Sequence, residues 1–368
     1  MMASVHLLDL DLPGLEGFFQ GFGERPFRAR QVMHWLYKRG VTDFEAMTDL
    51  GRAVRQELGR RARLDLPAIA AEQVSVDGTR KLLVELGDGE RVETVLIPDE
   101  DRLTQCVSSQ VGCAMACAFC RTGASGLRRN LTAGEIVGQV VLGQSLVPPG
   151  SRVTNVVFMG MGEPLHNLEN VVRAFRILSS DDGLNITRRR LTVSTCGLAD
   201  AVRRLPADVL PSLAVSLNAT TDEVRSRIMP VNRRHPIAEL LGVLRDRPLP
   251  PRCRYTIEYV LLGGVNDSLE DARRLVRLLS KLRCKVNLIP YNPHRESAFA
   301  APEPERVEAF QQHLLGKGFT TVVRKSRGQD ILAACGQLGA EEARPRSCPS
   351  MGPRDTPHPG DNARRLGG

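Results

Sequence analysis

From about residue 101 onward, strand-like apolar runs alternate with amphipathic helical patterns, such as those of residues 132–146 and 167–178. Strands that alternate with helices imply a parallel sheet with the helices outside it. About six strands are indicated, fewer than the eight of a complete barrel. The sequence therefore predicts an α/β fold with a partial (β/α)6 barrel over residues 101–338. The six runs are 103–109, 153–159, 191–195, 213–217, 255–262 and 285–289.

The rest of the chain divides into three parts. Residues 1–67 space their apolar side chains at helical intervals, which predicts a small N-terminal helical domain. Residues 68–100 contain the runs KLLVEL and ETVLIP around GDGERV, which predicts a short β extension with a hairpin. Residues 339–368 are rich in Pro, Gly, Arg and Asp with almost no apolar content, so we expect a disordered tail.

Composition narrows the class of protein. No apolar run approaches the roughly 20 residues that a membrane-spanning helix needs, and the first residues do not resemble a secretory signal. We therefore expect a cytoplasmic protein without a membrane partner. The nine cysteines are spread too unevenly for a disulfide scaffold, and this compartment favours metal binding or catalysis. The net charge of +8 and the pI near 9.2 fit a polyanionic partner such as nucleic acid.

The basic residues form several clusters along the chain. Each cluster, taken singly, is more often a solvated face than a binding surface. They lie in residues 27–40 and 55–64, around Arg121, Arg128 and Arg129, and at Arg225, Arg227, Arg233 and Arg234.

Three cysteines with the spacing Cys-x3-Cys-x2-Cys follow the first predicted strand of the alternating series: Cys113, Cys117 and Cys120. A structural zinc site normally has four protein ligands, and the segment VGCAMACAFCRTG offers no fourth Cys or His. An iron-sulfur cube held by three thiolates keeps one iron open. That iron can chelate the amino and carboxylate groups of S-adenosylmethionine. The spacing is typical of the radical S-adenosylmethionine superfamily, and its place after a barrel strand suits a catalytic site.

Polar residues also follow the later predicted strands. The GMGEP loop offers backbone that can approach a ligand amino group and a carboxylate that can accept from it, while hydroxyls and amides suit a ribose and a carboxylate. An ordinary hydrogen bond at a strand end explains each residue singly about as well. Their shared location at strand ends favours binding. The residues are Gly162, Glu163, Ser194, Ser216, Asn218 and Asn292.

Two cysteines outside the cluster motif lie in distinctive contexts. Cys106 stands in LTQCVSSQVGC, just before the cluster segment, and Cys335 stands in RGQDILAACGQL. From the residues alone, a buried free cysteine is the simplest interpretation of both, as it is for Cys196, Cys253 and Cys284.

Five segments together resemble the RlmN group of radical S-adenosylmethionine RNA methyltransferases. They are TQCVSSQVGCAMACAFC, MGMGEPLHN, SLNATTDEVRSRIMPVN, NLIPYNP and RGQDILAACGQL. The resemblance extends from the N-terminal helical region to about Leu338, and it is specific, because the cluster motif alone would admit the whole superfamily. It implies a radical S-adenosylmethionine barrel with a 4Fe-4S cluster and two molecules of S-adenosylmethionine per turnover. Such enzymes methylate C2 of an adenosine in 23S ribosomal RNA and, in some members, in transfer RNA.

The resemblance also implies roles for single residues. Cys335 would accept a methyl group from one S-adenosylmethionine, and a 5'-deoxyadenosyl radical from a second would convert it to a methylene radical that adds to C2. Glu93 would take the C2 proton, and Cys106 would release the RNA, leaving a transient disulfide with Cys335. The cluster would be bound by Cys113, Cys117 and Cys120, and S-adenosylmethionine by Gly162, Glu163, Ser194, Ser216, Leu217, Asn218 and Asn292.

The same resemblance implies the partners: 23S ribosomal RNA, transfer RNA and an electron donor of flavodoxin type, with the protein a monomer. Two positions depart from the family pattern, since Asn218 replaces a common His and Cys196 follows the cofactor-binding strand in place of a more usual Ser. Three alternatives stay open. They are methylation of adenine C8, as in the Cfr relatives, a radical enzyme with another substrate, and a zinc-stabilised RNA-binding protein.

Overall fold

The structure is a computed structural model that describes residues 4–148, 150–247, 249–294 and 297–339. Apart from Gly339, the tail predicted for residues 339–368 lies outside the described residues. Within the described ranges, no helix is both long enough and apolar enough to cross a membrane.

The N-terminal region is mainly helical, as its apolar spacing predicts. Its elements are β1 (Val5–His6), α1 (Leu12–Gln20), α2 (Arg28–Met33), a π-helical turn (His34–Lys38), α3 (Arg52–Arg61) and β2 (Ala62–Arg63). The carboxylate of Asp11 caps α1 by accepting from the Gly14 amide. Strands β1 and β2 pair in parallel and hold the two ends of this region together. Phe19, Trp35 and Leu58 are buried and belong to the main hydrophobic core.

Three antiparallel strands form the predicted β extension. They are β3 (Ala68–Val74), β4 (Arg80–Glu85) and β5 (Arg91–Asp99). The turn between β4 and β5 falls in GDGERV, as predicted. Strand β5 pairs antiparallel with β6 (Arg102–Cys106), so the extension continues directly into the sheet of the barrel.

The rest of the described chain alternates strands and helices. The elements are β7 (Gln110–Gly112), α4 (Arg121–Ala124), β8 (Leu127–Asn130), α5 (Ala133–Ser145), β9 (Asn155–Phe158), α6 (Leu168–Ser179), β10 (Leu191–Thr195), α7 (Ala199–Arg204), β11 (Leu213–Ser216), α8 (Asp222–Ile228), α9 (Ile237–Asp246), β12 (Tyr255–Leu261), α10 (Leu269–Leu279), β13 (Cys284–Pro290), α11 (Pro304–Gly316) and β14 (Thr321–Val323). Their ends have local causes. Thr132 and Glu135 form a capping box at the start of α5, and Ser268 and Asp271 form one at α10.

One ten-stranded sheet organises the molecule, in the order β14-β13-β12-β11-β10-β9-β6-β5-β4-β3. Strand β6 pairs in parallel with β9, and strands β9 to β14 pair in parallel with one another in sequence order. The sheet does not close on itself. The predicted α/β class with a partial barrel is confirmed. The short strand β14 adds a seventh parallel member to the six predicted strands. Because these strands run in parallel, their carboxyl ends lie along one edge, where residues after each strand can meet.

Candidate active site

The cluster segment is a loop between β7 and α4 that is fixed by its backbone. The Cys113 amide donates to the Gly126 carbonyl at 2.8 Å, and the Ala118 amide donates to the Ile228 carbonyl at 2.9 Å. Gly112 has a φ of 74°, and a Cβ on it would lie 1.8 Å from the Gly126 oxygen. The chain therefore requires glycine immediately before the first cysteine, and the loop rests on both its own hairpin and the end of α8.

The three thiols of this loop fit a cluster better than a single zinc ion. In a tetrahedral zinc site, thiolate sulfurs stand about 3.8 Å apart. Among the described residues, only Asp200, His235 and Glu239 bring three metal-binding atoms within 4.8 Å of one another, so the three sulfurs are more widely spread than that. Burial raises the pKa of Cys113 to about 12 and raises that of Cys117 well above its usual value. Ionised thiols here need a bound group that carries positive charge, as iron does.

The strand-end residues predicted to bind a cofactor share a cavity with the three thiols. The exception is Leu217, which is completely buried and does not line the cavity, although its amide bonds to the Glu258 carbonyl. The wall also contains Cys335. The predicted residues that line the cavity are Cys113, Cys117, Cys120, Gly162, Glu163, Ser194, Ser216, Asn218, Asn292 and Cys335.

The loop after β9 is held by the Glu163 carboxylate. Its two oxygens accept from the Leu165 amide at 3.0 Å and from the Cys196 amide at 2.8 Å. Gly162 has a φ of 99°, and a Cβ on it would lie 2.5 Å from the Gln110 side chain. Burial raises the pKa of Glu163. The carboxylate thus ties the loop after β9 to the end of β10 at the cavity wall.

The two asparagines of the wall are held by hydrogen bonds. Asn218 lies in the left-handed backbone region with a φ of 56°. Its side-chain oxygen accepts from the Val260 amide at 2.8 Å, and its side-chain nitrogen donates to the Met229 sulfur at 3.3 Å. Asn292 accepts from the Gln329 side chain at 2.6 Å. Asparagine and histidine are both among the residues that most readily adopt a positive φ, so the backbone at residue 218 accepts either one.

Cys106 and Cys335 line a second cavity that adjoins the first one. Cys106 ends β6, where its carbonyl accepts from the Thr94 hydroxyl at 2.8 Å. Both residues are free thiols in this structure. Burial is the main cause that raises the pKa of Cys106 to about 12, and the nearby Cys335 adds to it. Cys335 is accessible from the cavities, whereas Cys106 is largely buried. The structure therefore brings together the two cysteines that the sequence could only pair by resemblance.

Glu93 lies apart from these cavities. It lines a third cavity with Lys81 and Gly339, and it forms an ion pair with Lys81 at 3.3 Å, the two side chains being 5% and 9% exposed. The Gly339 amide donates to its other oxygen at 2.7 Å. Burial raises the pKa of Glu93, and Lys81 is the largest opposing influence. Glu93 thus reaches the segment that carries Cys335 without lining the cavity that Cys335 faces.

The segment of residues 324–339, which we call the carrier segment, is fastened at its middle to the hairpin between β3 and β4. The Ser75 hydroxyl donates to Asp330 at 2.6 Å. The Gly328 amide donates to the Asp77 carboxylate at 3.0 Å. The position of Cys335 therefore depends on a hairpin in the β extension.

Comparison with known proteins agrees with this geometry. Residues 5–64 match the ribosomal RNA large subunit methyltransferase N-terminal domain family, and residues 107–278 match the radical SAM superfamily. The dual-specificity RNA methyltransferase RlmN of Geobacter sulfurreducens is 54% identical over 338 residues, covering 92% of this chain and 93% of that protein. The chain belongs to the RlmN family. The RlmN protein of Geotalea uraniireducens is 52% identical over 337 residues, covering 92% and 97%.

A solved structure of similar sequence also has a similar fold. A radical SAM methyltransferase from Sphaerobacter thermophilus superposes with a TM-score of 0.85 at 46% identity, covering 92% of this chain and all of that one. Membership of a radical S-adenosylmethionine family implies that S-adenosylmethionine and a 4Fe-4S cluster are the cofactors. The three thiols and the polar wall of the cavity fit both groups.

Two residues of this RlmN-family site were missed by the sequence analysis. Glu258, in β12, is buried in the cavity wall and accepts from the hydroxyls of Ser194 at 3.2 Å and Ser216 at 3.5 Å. Burial raises the pKa of Glu258. Arg324, just after β14, lies 3.8 Å from the Glu258 carboxylate. A single carboxylate within the otherwise apolar run YTIEYVLL was the available signal for Glu258.

The prediction that Arg225 belongs to a basic surface cluster was wrong. Arg225 is completely buried, where its guanidinium donates to the carbonyls of Cys196 at 2.6 Å and Leu217 at 2.9 Å. It therefore braces the loops after β10 and β11 from behind the cavity. Its charge satisfies backbone carbonyls and is not offered to solvent.

Proposed function

We propose that this chain transfers a methyl group to C2 of an adenosine in 23S ribosomal RNA and in transfer RNA, consuming two molecules of S-adenosylmethionine per turnover. The observation that carries the proposal is the common cavity of the three thiols, the polar strand ends and Cys335, with Cys106 in the cavity beside it. The similar RlmN proteins are named dual-specificity RNA methyltransferases.

The chemistry of the target explains why such a site is needed. Adenine C2 is an electron-poor carbon without an acidic proton, so it offers no nucleophile to a methyl donor. A cluster held by Cys113, Cys117 and Cys120, with S-adenosylmethionine beside it, would supply one-electron chemistry: an electron, a 5'-deoxyadenosyl radical able to remove hydrogen from an S-methyl group, and a centre to which that electron can return. The residues of the chain must therefore carry the methyl group and release it.

Cys335 is the methyl carrier in this proposal. Its thiol loses a proton, and the thiolate displaces S-adenosylhomocysteine from S-adenosylmethionine, which leaves an S-methyl thioether. Its accessibility from the cofactor cavity supports this role. After hydrogen removal, the methylene carbon on the sulfur forms the bond to C2, so the RNA is held covalently through Cys335.

Release of the RNA uses Glu93 and Cys106. Glu93 accepts the C2 proton. The Cys106 thiolate then attacks the Cys335 sulfur, the electron pair of the broken bond stays with carbon, and a proton completes the methyl group. The resulting Cys106–Cys335 disulfide needs two electrons from cellular thiols, which fits a reducing cytoplasm. Because Gly339 and Lys81 now hold Glu93, the carrier segment must move before the base meets its substrate.

The N-terminal region is proposed to grip RNA. We retain the division into a helical domain (1–67), a β extension (68–100) and a barrel (101–338), with the helical domain contacting phosphates through arginines. Arg60 is 72% exposed, and Arg128 in the barrel is 68% exposed. Exposed ion pairs are weak enough for such arginines to exchange an acidic partner for phosphate. The electron donor is of flavodoxin type, and the chain acts as a monomer.

The test is an anaerobic reaction of the full chain with a reconstituted cluster, reductant, S-adenosylmethionine and either a 23S ribosomal RNA fragment or transfer RNA. Mass spectrometry then separates 2-methyladenosine from 8-methyladenosine. The variants are Cys335→Ala and Cys106→Ala, and Cys253→Ala serves as the control because Cys253 lies outside both cavities.

We expect 2-methyladenosine from the wild type and from Cys253→Ala. Cys335→Ala should give none, and Cys106→Ala should accumulate protein covalently joined to RNA. Formation of 8-methyladenosine would show that the methyl group is added to C8 and would refute the proposed C2 position. Formation of 5'-deoxyadenosine with unmodified RNA would retain the radical chemistry and refute the substrate.

A further inference from the structure

Arg324 shares a cavity with the two cysteines on which the proposed function depends. It lines the second cavity together with Cys106 and Cys335. Its amide donates to the Leu288 carbonyl at 2.8 Å, which anchors the start of the carrier segment to β13. Its guanidinium donates to the Met159 sulfur at 3.5 Å. The side chain is 34% exposed, so it reaches the cavity from a partly solvated position.

Arg324 and Glu258 have opposite effects on the pKa values of the two thiols. Burial is the main cause that raises the pKa of Cys335, Glu258 and Cys120 raise it further, and Arg324 is the largest influence that lowers it. Cys106 has the same arrangement, with burial, Cys335 and Glu258 raising its pKa and Arg324 lowering it. Of the three cations that line this cavity, Arg324, Lys325 and Arg327, Arg324 is the one that most favours the ionised form of both sulfurs.

A neighbouring arginine shows that position, and not net charge alone, distinguishes Arg324. Arg327 lines the same cavity with a side chain that is 37% exposed, which is nearly equal to that of Arg324. Its guanidinium pairs with the exposed carboxylate of Asp99 at 3.3 Å. The acidic partner of Arg324 is more distant, since its guanidinium lies 3.8 Å from the Glu258 carboxylate. Arg327 thus provides a matched control.

We propose that Arg324 is a positioning residue that serves as the shared counter-ion of Cys335 and Cys106, stabilising the first thiolate when the methyl group is accepted and the second when the RNA is released. This inference rests on the proposed function. In each step the thiol proton passes to water, and the guanidinium stays charged throughout because arginine does not deprotonate in proteins. Glu258 opposes both ionisations.

The test measures thiol reactivity and needs no RNA. Full-length chain is made by cell-free translation without S-adenosylmethionine, so that Cys335 carries no methyl group, and its cluster is reconstituted anaerobically. Iodoacetamide labelling is followed from pH 7 to pH 10. Trypsin releases residues 328–346 with Cys335 as the single cysteine, because the bond before Pro345 resists cleavage, and fragmentation of the peptide of residues 103–121 locates label on Cys106.

We expect Arg324→Gln to displace the pH–rate curves of both cysteines to higher pH by about one unit, a tenfold loss of rate at pH 8. Arg324→Lys should largely restore the wild-type curves, Arg327→Gln should leave them in place, and Glu258→Gln should displace them to lower pH. An unchanged rate for Arg324→Gln, or a loss of rate that Arg324→Lys does not restore, would overturn the proposal, because lysine keeps the positive charge.

The outcome is separable from that of the proposed function. If Arg324→Gln displaces the curves but the wild type leaves RNA unmethylated, the shared counter-ion is supported and the proposed substrate is refuted. If the wild type methylates RNA but Arg324→Gln leaves the curves unchanged, only the counter-ion proposal is refuted.

Discussion

Replacing Lys81 with methionine isolates the energetic role of the buried Lys81–Glu93 pair. The two groups lie 3.3 Å apart on β4 and β5, and their side chains are 9% and 5% exposed. Methionine keeps most of the apolar length of lysine but removes the ammonium group. The Gly339 amide, at 2.7 Å, would then be the main remaining stabiliser of the Glu93 carboxylate.

The magnitude follows from burial. Removing one member of a buried ion pair costs about 3–5 kcal/mol, because the other charge stays buried without compensation. At about 2.1 cal/mol/K per residue, unfolding a chain of 368 residues has an entropy near 0.8 kcal/mol/K. We therefore expect the melting temperature of Lys81→Met to fall by about 4–6 °C at pH 8.

The loss should depend on pH with a definite sign. Burial already raises the pKa of Glu93, and Lys81 opposes it, so the variant has a still higher pKa. An acid whose pKa is raised by folding contributes stability below its unfolded pKa, which is about 4.3 for Glu, and loses that contribution as the pH rises through the folded value. The difference between variant and wild type should therefore be smaller at pH 5 than at pH 8, because lower pH favours the protonated form of Glu93.

The assay is calorimetric melting of reconstituted protein at pH 5 and pH 8, with Glu85→Gln as the control. Glu85, also on β4, pairs with Arg91 at 2.8 Å, but those side chains are 41% and 37% exposed. Its loss should cost less than about 1 kcal/mol. Equal melting shifts for the two variants, or a Lys81→Met shift that is the same at both pH values, would refute the reasoning.

Three further predictions concern the cofactor cavity. Gly162→Ala should weaken S-adenosylmethionine binding at least tenfold in equilibrium dialysis, because the new methyl group would lie 2.5 Å from Gln110 at a φ of 99°. Arg225→Met should leave the Cys196 carbonyl without its 2.6 Å donor and lower the melting temperature by several degrees, since orphaned buried groups cost about 1–3 kcal/mol each. Glu163→Gln should place an amide donor against one of the two backbone amides that Glu163 now accepts from. We expect the variant to retain less cluster, which is measured by iron content and visible absorbance after reconstitution.

The fold was accessible to sequence reasoning because its causes are local. Each parallel strand is a short apolar run, and capping residues such as Thr132 and Ser268 mark where helices begin. The three cluster cysteines stand within one loop, so their grouping could be predicted from spacing alone. Their shared cavity with the polar strand ends followed from the parallel topology, which places every strand's carboxyl end at one edge.

The remaining features depend on contacts between distant segments. Arg225 resembles its exposed neighbours in sequence, and only the fold shows that the carbonyls after β10 and β11 surround it. The proximity of Arg324 to Glu258 requires the packing of β14 beside the rest of the sheet. The separation of Glu93 from the Cys335 cavity was likewise not readable, because it depends on where the carrier segment rests.

The fastening of the carrier segment to the hairpin between β3 and β4 has a consequence for biosynthesis. Two of its hydrogen bonds join residues 255 and 251 positions apart, and contacts that close such long loops form late in folding. The cluster loop is complete more than 200 residues earlier in translation. The three thiols are therefore synthesised before Cys335, and a cluster inserted during translation would meet them before that fourth cysteine is present.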